Sequence, residues 1–155
     1  MTLYSSDPDQ TRAIGRRLGS ALRCGDLVAL LGPLGAGKTT LVKGIAVGAG
    51  LPDDRRVTSP TFVLVNEYDA EPYLFHVDAY RLGGPRELEA LGLDEFLTQG
   101  AVLVEWADRV EAALPGERLE IVLEATGDRT RVLHLSGVGR RAEDLIRTLA
   151  QAYER

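Results

Sequence analysis

Apolar residues recur along this chain in two rhythms, one helical and one of short unbroken runs. In SSDPDQTRAIGRRLGSALRCG, Ile14, Leu18, Ala21 and Leu22 fall on one face at helical spacing. Ser6 or Asp7 can cap that helix, Pro8 suits its first position, where a missing N–H costs nothing, and Gly25 stops it. LVALL (27–31) is continuous and apolar, as in a parallel strand buried on both faces. KTTLVKGIAVGAG reads as a second helix and the polar, proline-containing PDDRRVTSPT as a loop. TFVLVNEY (61–68) and YLFHVDAY (73–80) read as strands joined by the turn DAEP. LGGPRELEALGLDEFL reads as a connector with short helical pieces, AVLVEW (101–106) as another buried strand, and ADRVEAAL as a short helix ended by Pro115. RLEIVLEA and TRVLHLSG flank TGDR as a hairpin. RRAEDLIRTLAQAYER is amphipathic, with Leu145, Ile146, Leu149 and Tyr153 on one face. Strands interleaved with helices predict one α/β domain over 1–155, its sheet mixed but mostly parallel, with helices on both faces and β-hairpins.

Composition changes little. With 155 residues, 45% apolar and 26% charged, the chain can bury a core without a staple. A net charge of −5 argues against a surface that is a nucleic-acid footprint throughout; RRLGSALR (Arg16, Arg17, Arg23) is a candidate local basic patch, with a solvated helix face as the preferred reading. One cysteine, Cys24, permits no internal disulfide and suits a reducing compartment. No leader pattern and no membrane-length apolar run is visible, so the expectation is a cytoplasmic protein with no membrane association.

The chemistry lies in GPLGAGKTT (32–40). Gly32, Gly37, Lys38 and Thr39 match G-x-x-x-x-G-K-[ST] between an apolar strand and a helix. Glycines let successive backbone N–H groups turn toward one anion, and the helix start adds its positive end. Lys38 is suited to the β- and γ-phosphates and the Thr39 hydroxyl to Mg²⁺. A Mg²⁺ site of this kind takes a second carboxylate from a neighbouring strand end. Glu105, after AVLV, and Asp78, after YLFHV, both qualify, and position alone leaves both open. The chain contains no Asn-Lys dipeptide with which a GTPase reads guanine, so ATP or ADP is the expected nucleotide. Its arginines are scattered, without the arginine-rich lid of many small-metabolite kinases, the alternative reading of such a loop.

GPLGAGKTT, TSPTFVLVNEY, HVDAYRL and LVEWADR, in that order, resemble the TsaE (YjeE) family, small P-loop ATPases of bacterial tRNA threonylcarbamoyladenosine synthesis. The resemblance implies a compact α/β domain that binds ATP/ADP with Mg²⁺. It implies hydrolysis that is weak alone and faster with the TsaD–TsaB pair, which transfers the threonylcarbamoyl group to adenosine, so that tRNA is engaged indirectly. Carried over, Lys38 and Thr39 hold phosphate and metal, Glu105 is the metal-side acid, and Asp78 is a water-side or switch acid. Lys38, Asp78 and Glu105 form the implied catalytic set. Ser59, Pro60 and Thr61 match a nucleotide-sensing switch, and Trp106 becomes a reporter of the site. SDPDQT matches a segment bordering the adenine, which brings in Asp7, Pro8 or Thr11. The implied nucleotide-binding set is Gly35, Ala36, Gly37, Lys38, Thr39 and Thr40 with Pro8, Thr11 and Arg129. The family usually carries Asp or Glu after the first loop glycine. Pro33 stands there instead, and this bears on the hydrolysis rate rather than on binding.

Overall fold

A computed structural model of the chain describes residues 1–58 and 64–153. Asp7 starts the first helix as expected: its carboxylate accepts the Gln10 N–H at 2.9 Å, and Pro8 opens α1 (Pro8–Ala21). A cap of this type stabilises a helix by about 1 kcal/mol. The helix stops at the Leu22 cap, before the turn that holds Gly25. Continuous apolar runs form β2 (Leu27–Leu31), β4 (Leu74–Asp78) and β5 (Ala101–Glu105), and the glycine-rich loop leads into α2 (Lys38–Gly48). β3 (Val65–Tyr68) runs back against β4, and the connector supplies α3 (Pro85–Leu91) and α4 (Leu93–Gln99). Residues 107–113 wind as 3₁₀ turns. β6 (Arg118–Ala125) and β7 (Arg131–Val138) form the expected hairpin, and α5 (Arg140–Tyr153) closes the described chain.

One element was not legible beforehand. TLYS forms β1 (Thr2–Ser5), an edge strand antiparallel to β7. The seven strands lie in the order β1-β7-β6-β2-β5-β4-β3. The centre, β6-β2-β5-β4, is parallel, whereas the β1-β7, β7-β6 and β4-β3 pairings are antiparallel. "Mostly parallel" thus describes the centre, and the hairpins make both flanks antiparallel.

Alternation along the central strands builds two cores. Val28, Leu30 and Leu103 face Ile14, Leu18, Leu41, Ile45, Leu145 and Leu149 of α1, α2 and α5. Leu27, Ala29, Val102 and Val104 face Leu88, Leu93, Val110 and Leu114 on the other side. This two-residue period on strands covered on both faces explains why each run reads as unbroken apolar sequence. α5 is latched by an ion pair: the Arg141 guanidinium meets the buried Asp26 carboxylate at 3.0 Å. Among the described residues no helix is long and apolar enough to cross a membrane.

Candidate functional site

β2, β5 and β4 point their carboxyl ends the same way, so the segments leaving these three strands meet at one edge of the sheet. Residues 32–37 leave β2 there, Glu105 ends β5, and Asp78 ends β4 in register beside Glu105. Glu105 keeps the period of Leu103, and Asp78 that of Leu74, so both carboxylates lie on the face that carries α2.

Gly37 caps α2 with φ of 102°, a left-handed conformation that costs a side chain dearly. At Gly32 a Cβ would sit 2.6 Å from the Leu123 carbonyl oxygen. These two glycines therefore have geometric reasons, and they let the loop turn tightly over β6. A cleft of about 270 Å³ opens there, lined by residues 34–40 together with Glu105, Trp106 and Arg131.

Lys38 is only 6% exposed. Its ammonium donates to the carbonyls of Gly32 and Pro33, the latter at 3.2 Å, and lies 3.9 Å from the centre of the Trp106 ring. Burial lowers its pKa, opposed by the negative charges of Glu105, Asp78 and Asp108. Trp106 is the one non-glycine described residue with positive φ, 57°. That conformation turns the chain sharply after β5 and carries the indole over Lys38. Tyr80 packs against the indole as well, with ring centroids 5.0 Å apart, and the Arg109 guanidinium lies over Tyr80 at 4.9 Å.

The carboxylates are held differently. One oxygen of Asp78 accepts the Tyr80 N–H at 2.9 Å and so caps the turn after β4. Glu105, 2% exposed, accepts from His76 Nε2 at 2.7 Å. Among the described residues no three or more His, Cys, Asp or Glu side chains are arranged to hold a metal by themselves. A Mg²⁺ ion takes one or two protein oxygens and fills its shell with phosphate and water. Thr39 and Glu105, on the same cleft, are the fitting pair.

The remaining expected residues divide. Gly35, Ala36, Thr39 and Thr40 line the cleft. Pro8 lies at the start of α1, which runs alongside α2 in the same direction, so it sits at the loop end of the helix pair. Thr11 is 1% exposed, its hydroxyl 2.7 Å from that of Ser5, and offers nothing to a ligand without being uncovered. Arg129 stands exposed on the turn between β6 and β7, outside the cleft lining. The arginine at the loop is Arg131, whose guanidinium donates to the Gly35 carbonyl at 3.2 Å. Pro33 does not line the cleft, so its contribution to the site is its carbonyl. Ser59, Pro60 and Thr61 lie outside the described residues. Sequence reasoning missed His76, although it was visible as the one polar residue inside the apolar run YLFHV. Arg131 carried no signal beyond its charge.

A glycine-rich strand–loop–helix at the carboxyl edge of a parallel sheet centre, with buried strand-end acids beside it, defines the class: an α/β protein with a mixed sheet and a glycine-rich loop after its central strand. Comparison with known proteins gives the particular family. Residues 5–133 match the family described as threonylcarbamoyl adenosine biosynthesis protein TsaE. A Bacillus subtilis protein named tRNA threonylcarbamoyladenosine biosynthesis protein TsaE is 44% identical over 147 residues, covering 94% of this chain and 90% of its own. A Streptomyces coelicolor protein of the same name is 44% identical over 138 residues, 84% of this chain and 92% of its own. The crystal structure of Bacillus subtilis YdiB superposes with a TM-score of 0.81 at 38% identity, covering 98% of this chain and 95% of that one. The chain belongs to the TsaE family.

Proposed function

We propose that this protein binds ATP with Mg²⁺ and hydrolyses it as a cytoplasmic accessory factor in threonylcarbamoylation of adenosine in tRNA, acting on the TsaD–TsaB transferase pair. The observation that carries the chemical part is the convergence of the 32–40 loop, Glu105 and Asp78 on one sheet edge, with Lys38 within their field. The pathway rests on family membership and on the names of the relatives.

A bound Mg²⁺ would supply positive charge to offset the negative charge of the nucleotide's phosphates. Thr39 and Glu105 are the residues to hold it. The N–H groups of residues 35–40 cradle the phosphates, and the helix start adds its positive end. Lys38 exchanges its two carbonyl partners and the indole face for phosphate oxygens, a better match for an ammonium that burial has made costly. Asp78, fixed by its cap bond to Tyr80, is the acid left to orient a water or take its proton. Arg131 keeps the loop shaped through Gly35 and adds positive charge to the cleft rim.

The test is phosphate release from ATP with and without the cognate TsaD and TsaB. Slow turnover alone and clear stimulation by the pair is the expected result. Both Lys38→Ala and Glu105→Ala should lose hydrolysis by at least ~10²-fold, the loss typical for removing one preorganised electrostatic group. Unchanged turnover with the partners present would remove the accessory role. ATP consumed only with a small acceptor, yielding a phosphorylated product, would replace it with a kinase.

A further inference from the structure

Beneath the cleft, two buried polar side chains that the proposed chemistry does not use, His76 and Tyr68, form a chain with Glu105. His76 is fully buried (0% exposed) in the middle of β4, with Tyr68 of β3 at 4% and Glu105 of β5 at 2%. Its Nε2 lies 2.7 Å from Glu105 Oε2, and its Nδ1 lies 2.9 Å from the Tyr68 hydroxyl. The sheet register makes this geometry. His76 pairs with Leu103, so Glu105, two residues on, projects from the same face as its diagonal neighbour. Tyr68 and His76 lie on that same face of the antiparallel β3–β4 pair, two residues along from the Asn66–His76 pairing.

The bonding pattern has a direction. A carboxylate only accepts, so the ring proton belongs on Nε2 and points at Glu105. In a neutral ring Nδ1 is then an acceptor, and the Tyr68 O–H supplies the donor. Every polar atom of the ring is used, which a fully buried ring requires. The consequence falls on Glu105. One carboxylate oxygen is held by the imidazole, which fixes the plane of the group and leaves the other oxygen for the cleft.

We infer that His76 is a positioning residue for Glu105, and that Tyr68 sets His76, so that the Tyr68–His76–Glu105 chain tunes how tightly the metal is held beside the nucleotide. The inference rests on the reading of Glu105 as the metal-side acid. Partners behind a metal ligand fix its orientation and basicity, and losing one typically weakens metal binding by roughly 10–100-fold. Here the partner supports a carboxylate rather than a ligating imidazole, but the physical requirement is the same: the hydrogen bond from His76 favours one orientation of the Glu105 carboxylate over the others.

The two amides that replace histidine separate its two ring nitrogens. Gln carries an N–H donor near the place of Nε2, and Asn carries polar atoms near the place of Nδ1. The experiment titrates Mn²⁺, read by electron paramagnetic resonance, into protein saturated with ADP, and measures metal-free ADP binding by calorimetry. In His76→Asn, Mn²⁺ affinity should fall roughly tenfold while metal-free ADP affinity stays within about twofold. His76→Gln should recover most of the loss. A general packing defect would instead weaken ADP binding equally with and without metal, with no recovery in the Gln variant, and that pattern overturns the inference. So does wild-type Mn²⁺ affinity in His76→Asn. Should neither His76 variant fold, Tyr68→Phe decides: it removes one hydroxyl, and a loss of roughly threefold in Mn²⁺ affinity supports the chain where no loss ends it. Glu105→Gln, run alongside, separates the two levels. Wild-type Mn²⁺ affinity there removes Glu105 from the metal and this inference with it. A loss in Glu105→Gln with none in His76→Asn overturns the inference alone.

Discussion

Single side chains at the cleft differ in whether their neighbours fix them. Arg131 is the clearest case, since it donates to the Gly35, Gly127 and Thr130 carbonyls at 3.2, 2.9 and 2.8 Å and thereby ties the hairpin to the loop. Bonds of a charged donor contribute about 1.5–3 kcal/mol, so Arg131→Met should weaken ADP binding by about tenfold or more. Arg129→Ala should leave it unchanged, because that side chain stands on the exposed turn. Calorimetric titration of both variants checks this, and equal effects would remove the distinction. TGDRTR offers two arginines two residues apart, and only the turn geometry decides which one reaches back to the loop. Tyr68 supplies the pH dependence. Burial raises its phenol above the ordinary value of 10.0, helped by the Glu105 charge and opposed by bonding to Asn66 and Thr58. The folded protein therefore holds that proton more tightly than the unfolded chain. The associated stability is intact below the unfolded value of about 10 and is lost as pH rises through the folded value. Urea unfolding between about pH 8 and 11 should fall off less steeply in Tyr68→Phe than in wild type, by at most about 1.4 kcal/mol per pH unit. Parallel curves would mean the phenol titrates normally.

Pairs of elements show what periodicity reads and what it cannot. The helices and central strands were legible because both faces of the sheet are covered: apolar runs gave the strands and spaced apolar residues the helices. β1 was not, since four residues with one buried apolar side chain, Leu3, carry too little pattern. The contact between α1 and α2 was not legible either. Gly15 and Gly19 of α1 face Leu41 and Ile45 of α2, and Gly44 and Gly48 of α2 face Arg12 and Arg16 of α1. A Cβ at any of these positions would press into a carbonyl oxygen of the other helix. Read singly, such glycines look like weak points in a helix, and only the pairing shows that they let two backbones touch. The contact also has a functional consequence, because it fixes the start of α1, with Pro8, alongside the loop end of α2. An alanine in place of glycine within an unobstructed helix would stabilise it by roughly 0.5–1 kcal/mol. Gly19→Ala should do the opposite, destabilising by about 1–3 kcal/mol as overpacking does. The sign of the change in urea midpoint decides, and a gain in stability would show that the helices part without cost.

At the scale of the whole molecule, the cleft collects residues from across the chain. The loop after β2, Glu105 and Trp106 at the end of β5, and Arg131 at the start of β7 line it, while Asp78 and the start of α1 stand beside it. A ligand that contacts all of these pieces binds only when the sheet, the helix pair and the hairpin are in place together. Its binding energy therefore adds to global stability rather than to that of one loop. At a concentration about a hundredfold above its dissociation constant, ADP with Mg²⁺ should add about 2.7 kcal/mol. For a chain of this size that corresponds to a rise in Tm of roughly 5–10 °C. Lys38→Ala should abolish most of the ligand-dependent rise, whatever it does to the unliganded Tm, because the difference between the two scans isolates binding. Trp106 gives a second reading of the same event, since its ring lies on the Lys38 ammonium and must sense that group's departure toward phosphate. A thermal scan and an indole fluorescence titration on one sample thus report the global and the local consequence of one equilibrium, and both should yield the same dissociation constant. A fluorescence change without a thermal shift would place the nucleotide on the loop alone, and neither change at millimolar ADP would remove this edge of the sheet as a nucleotide site.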